Sequence, residues 1–250
     1  MAKTRRSHRR LDDLVDRSGF IFTGVVRRTA AATMPRVTTS DRTAVVQVQE
    51  VLRVPRVLGD YTEKQVTVLL QKATSAKRGE RTVFFTTSWM FGEGLAVTEV
   101  GTMKPEDGLR GRIADAEARL ADRALQARIE RASVIVTGKV LRTRPLEKKT
   151  RFVSEHDPKW WEASVEIESI EKGRHKEDTI PVLFPSSDDE MWIDSPKFRE
   201  GQEGVWILQR NQQERGAPVF RVPGYTALDP LDYRARVERD RVIKLIPTKR

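Results

Sequence analysis

The stretch GFIFTGVVRRT at residues 19–29 returns as SVIVTGKVLRT at residues 133–143. Ile21-Phe22-Thr23-Gly24 aligns with Ile135-Val136-Thr137-Gly138 at an offset of 114. Colinear matches extend in both directions, which is the signature of an internal repeat. Upstream, Leu11, Val15 and Arg17 meet Leu125, Ile129 and Arg131. The apolar residues are four apart, one face of a helix. Downstream, Ala44, Val46 and Val48 meet Ala163, Val165 and Ile167, each alternating with polar neighbours as a half-buried strand does. Val66 and Val68 meet Ile180 and Val182, and Val83-Phe84-Phe85 meets Val205-Trp206-Ile207. LAVTEVG (95–101) aligns with PVFRVPG (218–224). The offset drifts from 114 to 123, and each change falls between strands, where loops absorb insertions.

Each half therefore reads helix, five strands, helix. Five short antiparallel strands in about 85 residues predict a small closed barrel of the OB type. The expected fold is mainly β with helices: two five-stranded OB-like barrels in tandem, joined by a long helix, with a C-terminal helix. The boundaries read as a basic tail at 1–10, a first barrel at 11–104, a connecting helix at 105–131, a second barrel at 132–228, and a C-terminal helix and tail at 229–250. The connecting helix runs from about Glu106 to Arg131, with Ile113, Ala116, Leu120, Ala124 and Ala127 as its apolar stripe. The last helix spans Leu231 to Ile246, with Val237, Val242 and Ile246 on one side and Asp229-Pro230 as its start. Gly24 and Gly138 fall inside strands, where glycine marks a bulge or sharp bend. They are expected at matching bends that admit no Cβ.

The second half resembles the netrin-like domain of the tissue inhibitors of metalloproteinases. The likeness is carried by RASVIVTGKVLRT, ASVEIESIEKGRHKEDTIPVLFPSS, GQEGVWILQR and FRVPGYTALDPLD, including the Glu171-Lys172-Gly173 turn. It covers Leu125 to Val242, and more loosely Leu11 to Arg112. The resemblance implies an OB-type barrel with flanking helices. Its activity does not transfer: inhibitors of that family chelate zinc through an N-terminal cysteine held by disulfides, and this chain begins with Met1 and has no cysteine.

The lack of cysteine also removes disulfides, thiolate metal sites and cysteine nucleophiles. No apolar segment follows the basic MAKTRRSHRR, so no secretory signal or membrane span is expected. A cytoplasmic protein is the resulting expectation, and arginine outnumbering lysine 32 to 14 points to a GC-rich bacterial genome. Of the net charge of +10, the first ten residues carry +5, so half of the basic excess is a tail.

No motif for chemistry appears. Phosphate-cradling glycine loops and zinc-binding HExxH are absent, and His8, His156 and His175 are scattered. The acidic residues Asp188, Asp189, Glu190 and Asp194 lack calcium-loop spacing. No catalytic, cofactor-binding or metal-ligating residue is assigned, and a non-enzymatic protein-binding, adaptor or structural protein, a subunit of a larger bacterial assembly, is expected. Val45, Gln47 and Gln49 form an uncharged outer face, and SWMFGEG (88–94) places Met90 and Phe91 at a hairpin tip. Met90, Phe91, Val45 and Gln47 are thus the candidate protein contacts. The tryptophans Trp89 and Trp206 read as core. The alternative is single-stranded nucleic-acid binding through Arg5, Arg6, Arg9 and Arg10 of the tail and the loop 142–161, using Arg144, Lys148, Lys149, Arg151 and the ring of Trp160. Against it, the same strand exposes Glu162, Glu166 and Glu168, which repel phosphate. Enzyme inhibition by loop insertion is a weaker alternative, resting on the family resemblance alone.

Overall fold

The computed structural model describes residues 10–55, 58–146, 158–187, 189–210 and 224–247. The chain divides into two units, Met1–Ala121 and Asp122–Arg250. In the first, helical residues 10–16 (α1) lead into β1 (Phe20–Thr29), followed by β2 (Thr43–Arg53), β3 (Gln65–Leu69), β4 (Arg81–Phe91) and β5 (Leu95–Met103). These close in the order β1-β2-β3-β5-β4. Helix α2 (Leu109–Arg131) follows. The second unit contains β6 (Val134–Pro145), β7 (Lys159–Lys172), β8 (Thr179–Ser186), β9 (Glu203–Arg210), β10 (Tyr225–Thr226) and β11 (Tyr233–Ala235), then the short helix α3 (Arg239–Leu245). Its ring is β6-β7-β8-β10-β9, with β11 added on β9. Two closed five-stranded barrels are thus present, as the repeat predicts.

The repeat extends to single hydrogen-bonded pairs. β1 meets β2 with register shifts at Ile21/Phe22, Thr23/Gly24 and Val26/Arg28. β6 meets β7 with shifts at Ile135/Val136, Thr137/Gly138 and Val140/Arg142, the same three places. Gly24 and Gly138 both sit at the middle bulge. A Cβ on Gly24 would lie 2.6 Å from Val46 Cγ1 and 2.8 Å from the Gln47 carbonyl oxygen. On Gly138 it would lie 2.0 Å from the Glu166 carbonyl oxygen. The crossing strand passes too close for any side chain, which is the role expected of both glycines.

The apolar runs of the first and fourth strands are continuous because both of their faces are buried. Phe20, Phe22 and Phe84 point into the first barrel, while Ile21, Val83 and Phe85 pack outward against Leu11, Leu14 and Val15 of α1 and Leu109, Ile113 and Ala116 of α2. In the second barrel, Val134, Val136 and Trp206 point in. Ile135, Val205 and Ile207 meet Leu125, Ile129, Ala132 and Val242. A cation at the end of the second strand ties the leading helix down in each copy. Arg53 donates to the carbonyls of Val15 and Ser18 at 2.7 and 2.9 Å. Lys172 donates to those of Ile129 and Glu130 at 2.7 and 2.9 Å. Both cations stand where the chain leaves a helix, whose dipole favours positive charge there; the Val15 and Ile129 carbonyls also accept the N–H groups of Ser18 and Ala132.

The structure corrects four sequence expectations. Ala124 and Ala127 are exposed; the stripe of α2 instead continues through Leu125 and Ile129, which cover the second barrel. The region 231–246 is not one helix. Asp229 caps a single 3-10 turn at Pro230–Asp232, with proline in its first positions as expected, and β11 then pairs with β9. Strand pairing lets Tyr233–Ala235 satisfy backbone groups on the barrel edge, and Val237 is left 89% exposed. The fifth strand also aligns differently. The match at 218–224 lies outside the described residues except for Gly224. Val97 pairs with Val68 and Ser88, and Tyr225 pairs with their counterparts Val182 and Arg210. Tyr225 therefore takes the place of Val97. Thr102 of β5 pairs with Phe84 as Tyr233 pairs with Trp206. One continuous strand in the first barrel is two short strands in the second, split by the turn at Asp229–Asp232. Finally, Trp89 belongs to no core cluster and is 38% exposed, whereas Trp206 is core as expected.

Candidate protein-contact site

β4 pairs with β1 only as far as Thr86, which meets Phe20. Beyond it, Thr87–Phe91 continues as a hairpin arm whose one ladder partner among the described residues is β5. The other edge of that arm presents backbone donors and acceptors with no strand beside them. Its sequence, Thr-Ser-Trp-Met-Phe, carries none of the lysines or prolines that usually blunt such an edge. The arm also bears a bulge. Ser88 pairs with Val97 and Met90 with Ala96, so Trp89 is the extra residue. A bulge re-aims the side chain it displaces, and the Trp89 ring stands partly in solvent for this reason.

The expected contact residues divide. Phe91 is 67% exposed at the tip. Met90 is half-buried and packs with Met34, Val37 and Ala96. Val45 is fully buried and is not available for contact. It lies in a cross-strand row with Thr67 and Ala96, and the β1–β2 connection folds over that row. Thr33 bonds Thr67 Oγ1 through both its backbone N–H, at 2.8 Å, and its hydroxyl, at 2.9 Å. Met34 and Val37 close on Ala96. An alternation pattern shows which residues leave the barrel core but not which connection then covers them. Gln47 is half-buried, and its amide donates to the Glu63 carbonyl. What remains accessible is a groove of about 270 Å³ lined by Met34, Pro35, Arg36, Met90, Phe91, Gly92 and Glu93. Gly94 lets Met34 seat here, since a Cβ on it would come within 3.1 Å of Met34 Cγ.

Of the nucleic-acid candidates, Arg10, Arg144 and Trp160 are among the described residues. Arg5, Arg6, Arg9, Lys148, Lys149 and Arg151 lie outside the described residues, as do His8, His156 and Asp188. Arg10 is exposed at the start of the described part of α1. Arg144 is bound to Glu162, with Nε 2.9 Å and the terminal nitrogen 2.7 Å from Oε1. Trp160 is half-buried and meets Trp192 edge to face, with centroids 5.7 Å apart, so its ring is not a free stacking platform. Of the acidic strand face, Glu162 is paired by Arg144 and Glu168 by Arg236 at 2.6 Å. His175 is held against the Thr179 carbonyl at 2.9 Å and the Tyr225 ring. Asp189 turns the chain by accepting from the Met191 N–H.

One charged cluster in the second barrel has no sequence signature. Thr137 and Ser169 donate to Glu171 Oε1, each at 2.7 Å, and Arg239 reaches the same oxygen at 3.0 Å. In the first barrel the counterparts of Ser169 and Glu171 are Glu50 and Leu52. Burial pushes the Glu171 carboxyl up, but the bonds from Ser169, Thr137 and Arg239 outweigh it and hold its pKa below the ordinary glutamate range. A lowered folded pKa contributes stability above the unfolded value and loses it as pH falls through the folded one. Glu171→Gln is therefore expected to cost about 1–2 kcal/mol at neutral pH. It should also flatten the acid limb of the melting temperature below about pH 4.3. An unchanged acid limb by calorimetry would refute this assignment.

Among the described residues no group of three or more His, Asp or Glu side chains is placed to hold a metal ion. No helix among them is long and apolar enough to cross a membrane. No protein-family model matches the chain, and no curated protein matches it in sequence.

Proposed function

We propose that this chain is a non-catalytic protein-binding or adaptor protein, carried on two OB-like barrels of the netrin-like kind, that engages its partner through the β4–β5 hairpin. The observation that carries this reading is the uncharged edge at Thr87–Phe91, with Trp89 displaced by a bulge and Phe91 exposed at the tip. An extended partner segment adds to such an edge through main-chain hydrogen bonds, and adjoining apolar grooves select its side chains. The groove between Met34 and Phe91 supplies such a pocket. Aromatic anchors of this kind contribute most of the binding energy in many interfaces.

The test compares wild type with Trp89→Ser/Phe91→Asp as baits in a lysate of the native host, with quantitative recovery. Both side chains project from the barrel, so melting should shift by no more than about 0.5 kcal/mol, the range of ordinary surface changes. Loss of truncated hot spots costs about 2 kcal/mol or more, a roughly thirtyfold loss of affinity. Identical partner sets for the two baits would refute the reading.

A further inference from the structure

The opposite end of the first barrel carries a rim of unpaired cations. Arg27 and Arg28 end β1, Arg42 precedes β2, Lys72, Lys77 and Arg78 lie in the β3–β4 connection, and Arg81 begins β4. All seven are exposed, and among the described residues none of them forms an ion pair. The segments are fastened to one another: the Gly79 N–H donates to the Val26 carbonyl at 2.9 Å, and the Leu70 N–H to the Arg42 carbonyl at 2.8 Å. Asp41 and Glu80 are the exposed acids on the same segments. Glu106 and Asp107 border Arg81 across a shallow pocket, where Glu106 is already paired with Arg112.

The second barrel shows that the scaffold does not require these charges. By strand register, Arg27 corresponds to Leu141, Arg42 to Trp161 and Arg81 to Glu203, and of these strand positions only Arg28 keeps a cation, as Arg142. Seven like charges on one rim repel one another, so a feature that the fold does not need is here maintained against a cost.

We propose that this rim binds the phosphate backbone of nucleic acid without reading its sequence. Five of the seven cations are arginines, whose planar fork matches phosphate oxygens in bidentate fashion. With neighbouring strands about 4.8 Å apart, the rim across β3, β2, β1 and β4 is roughly 14 Å wide. Duplex DNA carries about one charge per 1.7 Å of axis, so such a rim faces on the order of eight phosphates. The exposed large apolar residues of this unit, among those described, are Val54, Trp89 and Phe91, all toward the other end. The rim therefore offers no apolar anchor for a membrane and no apolar centre for a protein interface. It also offers no aromatic platform for unstacked bases, so the contacts are to the backbone.

The experiment is fluorescence anisotropy of the full chain with a labelled duplex of about 20 base pairs, at salt from about 50 to 200 mM. One strand supplies about four of these phosphates, and about four contacts give a slope of log affinity on log salt near −3.6, a loss of about 150-fold across that range. Arg27→Leu/Arg81→Glu installs the residues that the second barrel folds with, and is expected to weaken low-salt binding at least tenfold and to reduce the slope by about two. Lys72→Gln/Lys77→Gln/Arg78→Gln, confined to a connection, makes the same test independently of strand packing. A tail variant, Arg5→Ala/Arg6→Ala/Arg9→Ala/Arg10→Ala, should keep most of the affinity. Absence of binding at low salt overturns the proposal. So does loss of binding in the tail variant alone, or binding to phosphatidylserine vesicles with none to DNA.

Discussion

Alanine at Gly138 should destabilise the second barrel by about 3 kcal/mol, the upper part of the range for overpacking a tight site. A Cβ there falls 2.0 Å from the carbonyl oxygen of Glu166 and 3.2 Å from Val165 Cγ1. The obstructing atom is backbone in the paired strand, so no rotamer change relieves the contact. Relief requires β6 and β7 to separate at the middle bulge, which breaks ladder bonds on both sides. At about 2–4 °C per kcal/mol, the melting transition of this unit should fall by roughly 10 °C. Gly24→Ala should cost less, because one of its two closest contacts is the movable Val46 methyl, at 2.6 Å. Calorimetry of both variants gives the ranking directly, and a Gly138→Ala protein as stable as wild type would remove the bulge glycine from the account of the barrel.

Arg128→Ala should be comparably damaging. Asp232 is fully buried, and Arg128 contacts its Oδ1 at 2.5 Å. The other oxygen accepts the N–H groups of Leu228 and Asp229 at 2.8 and 2.9 Å. Removing the guanidinium leaves a buried charge with two backbone donors alone, a loss of about 3–5 kcal/mol. The first barrel solves the same junction without charge. Leu14 aligns with Arg128, and it packs against Gly101, where a Cβ would come within 2.6 Å of Leu14 Cδ2. Arg128→Leu combined with Asp232→Asn should therefore recover most of the loss, since the amide oxygen still accepts the backbone bonds while no buried charge remains. Urea unfolding of the single and double variants decides it; equal losses in both would mean that the ion pair itself, and not its disruption, sets the stability.

The candidate site was partly legible. Phe91 at a hairpin tip follows from the pattern SWMFGEG. The exposure of Trp89 does not follow from that pattern, because a bulge displaces it from the alternation that predicts core. The burial of Val45 does not follow from it either, because a connection of some dozen residues returns over the barrel face. The basic rim leaves no local pattern, because its seven cations are spread over 55 positions and only the closure of the barrel gathers them at one end.

The sequence by itself determined the duplication, the two barrels, the bulge glycines and the identity of the inner rows. These depend on alternation and on local backbone demands, which neighbouring residues encode. Only the tertiary structure decided which outer faces are covered, that the fifth strand is broken in one copy, and which charges are paired. The same alternation serves a face open to water and a face under a connection, and an ion pair such as Arg128–Asp232 joins positions 104 residues apart. Those outcomes depend on how the chain closes in space, and no local pattern carries that information.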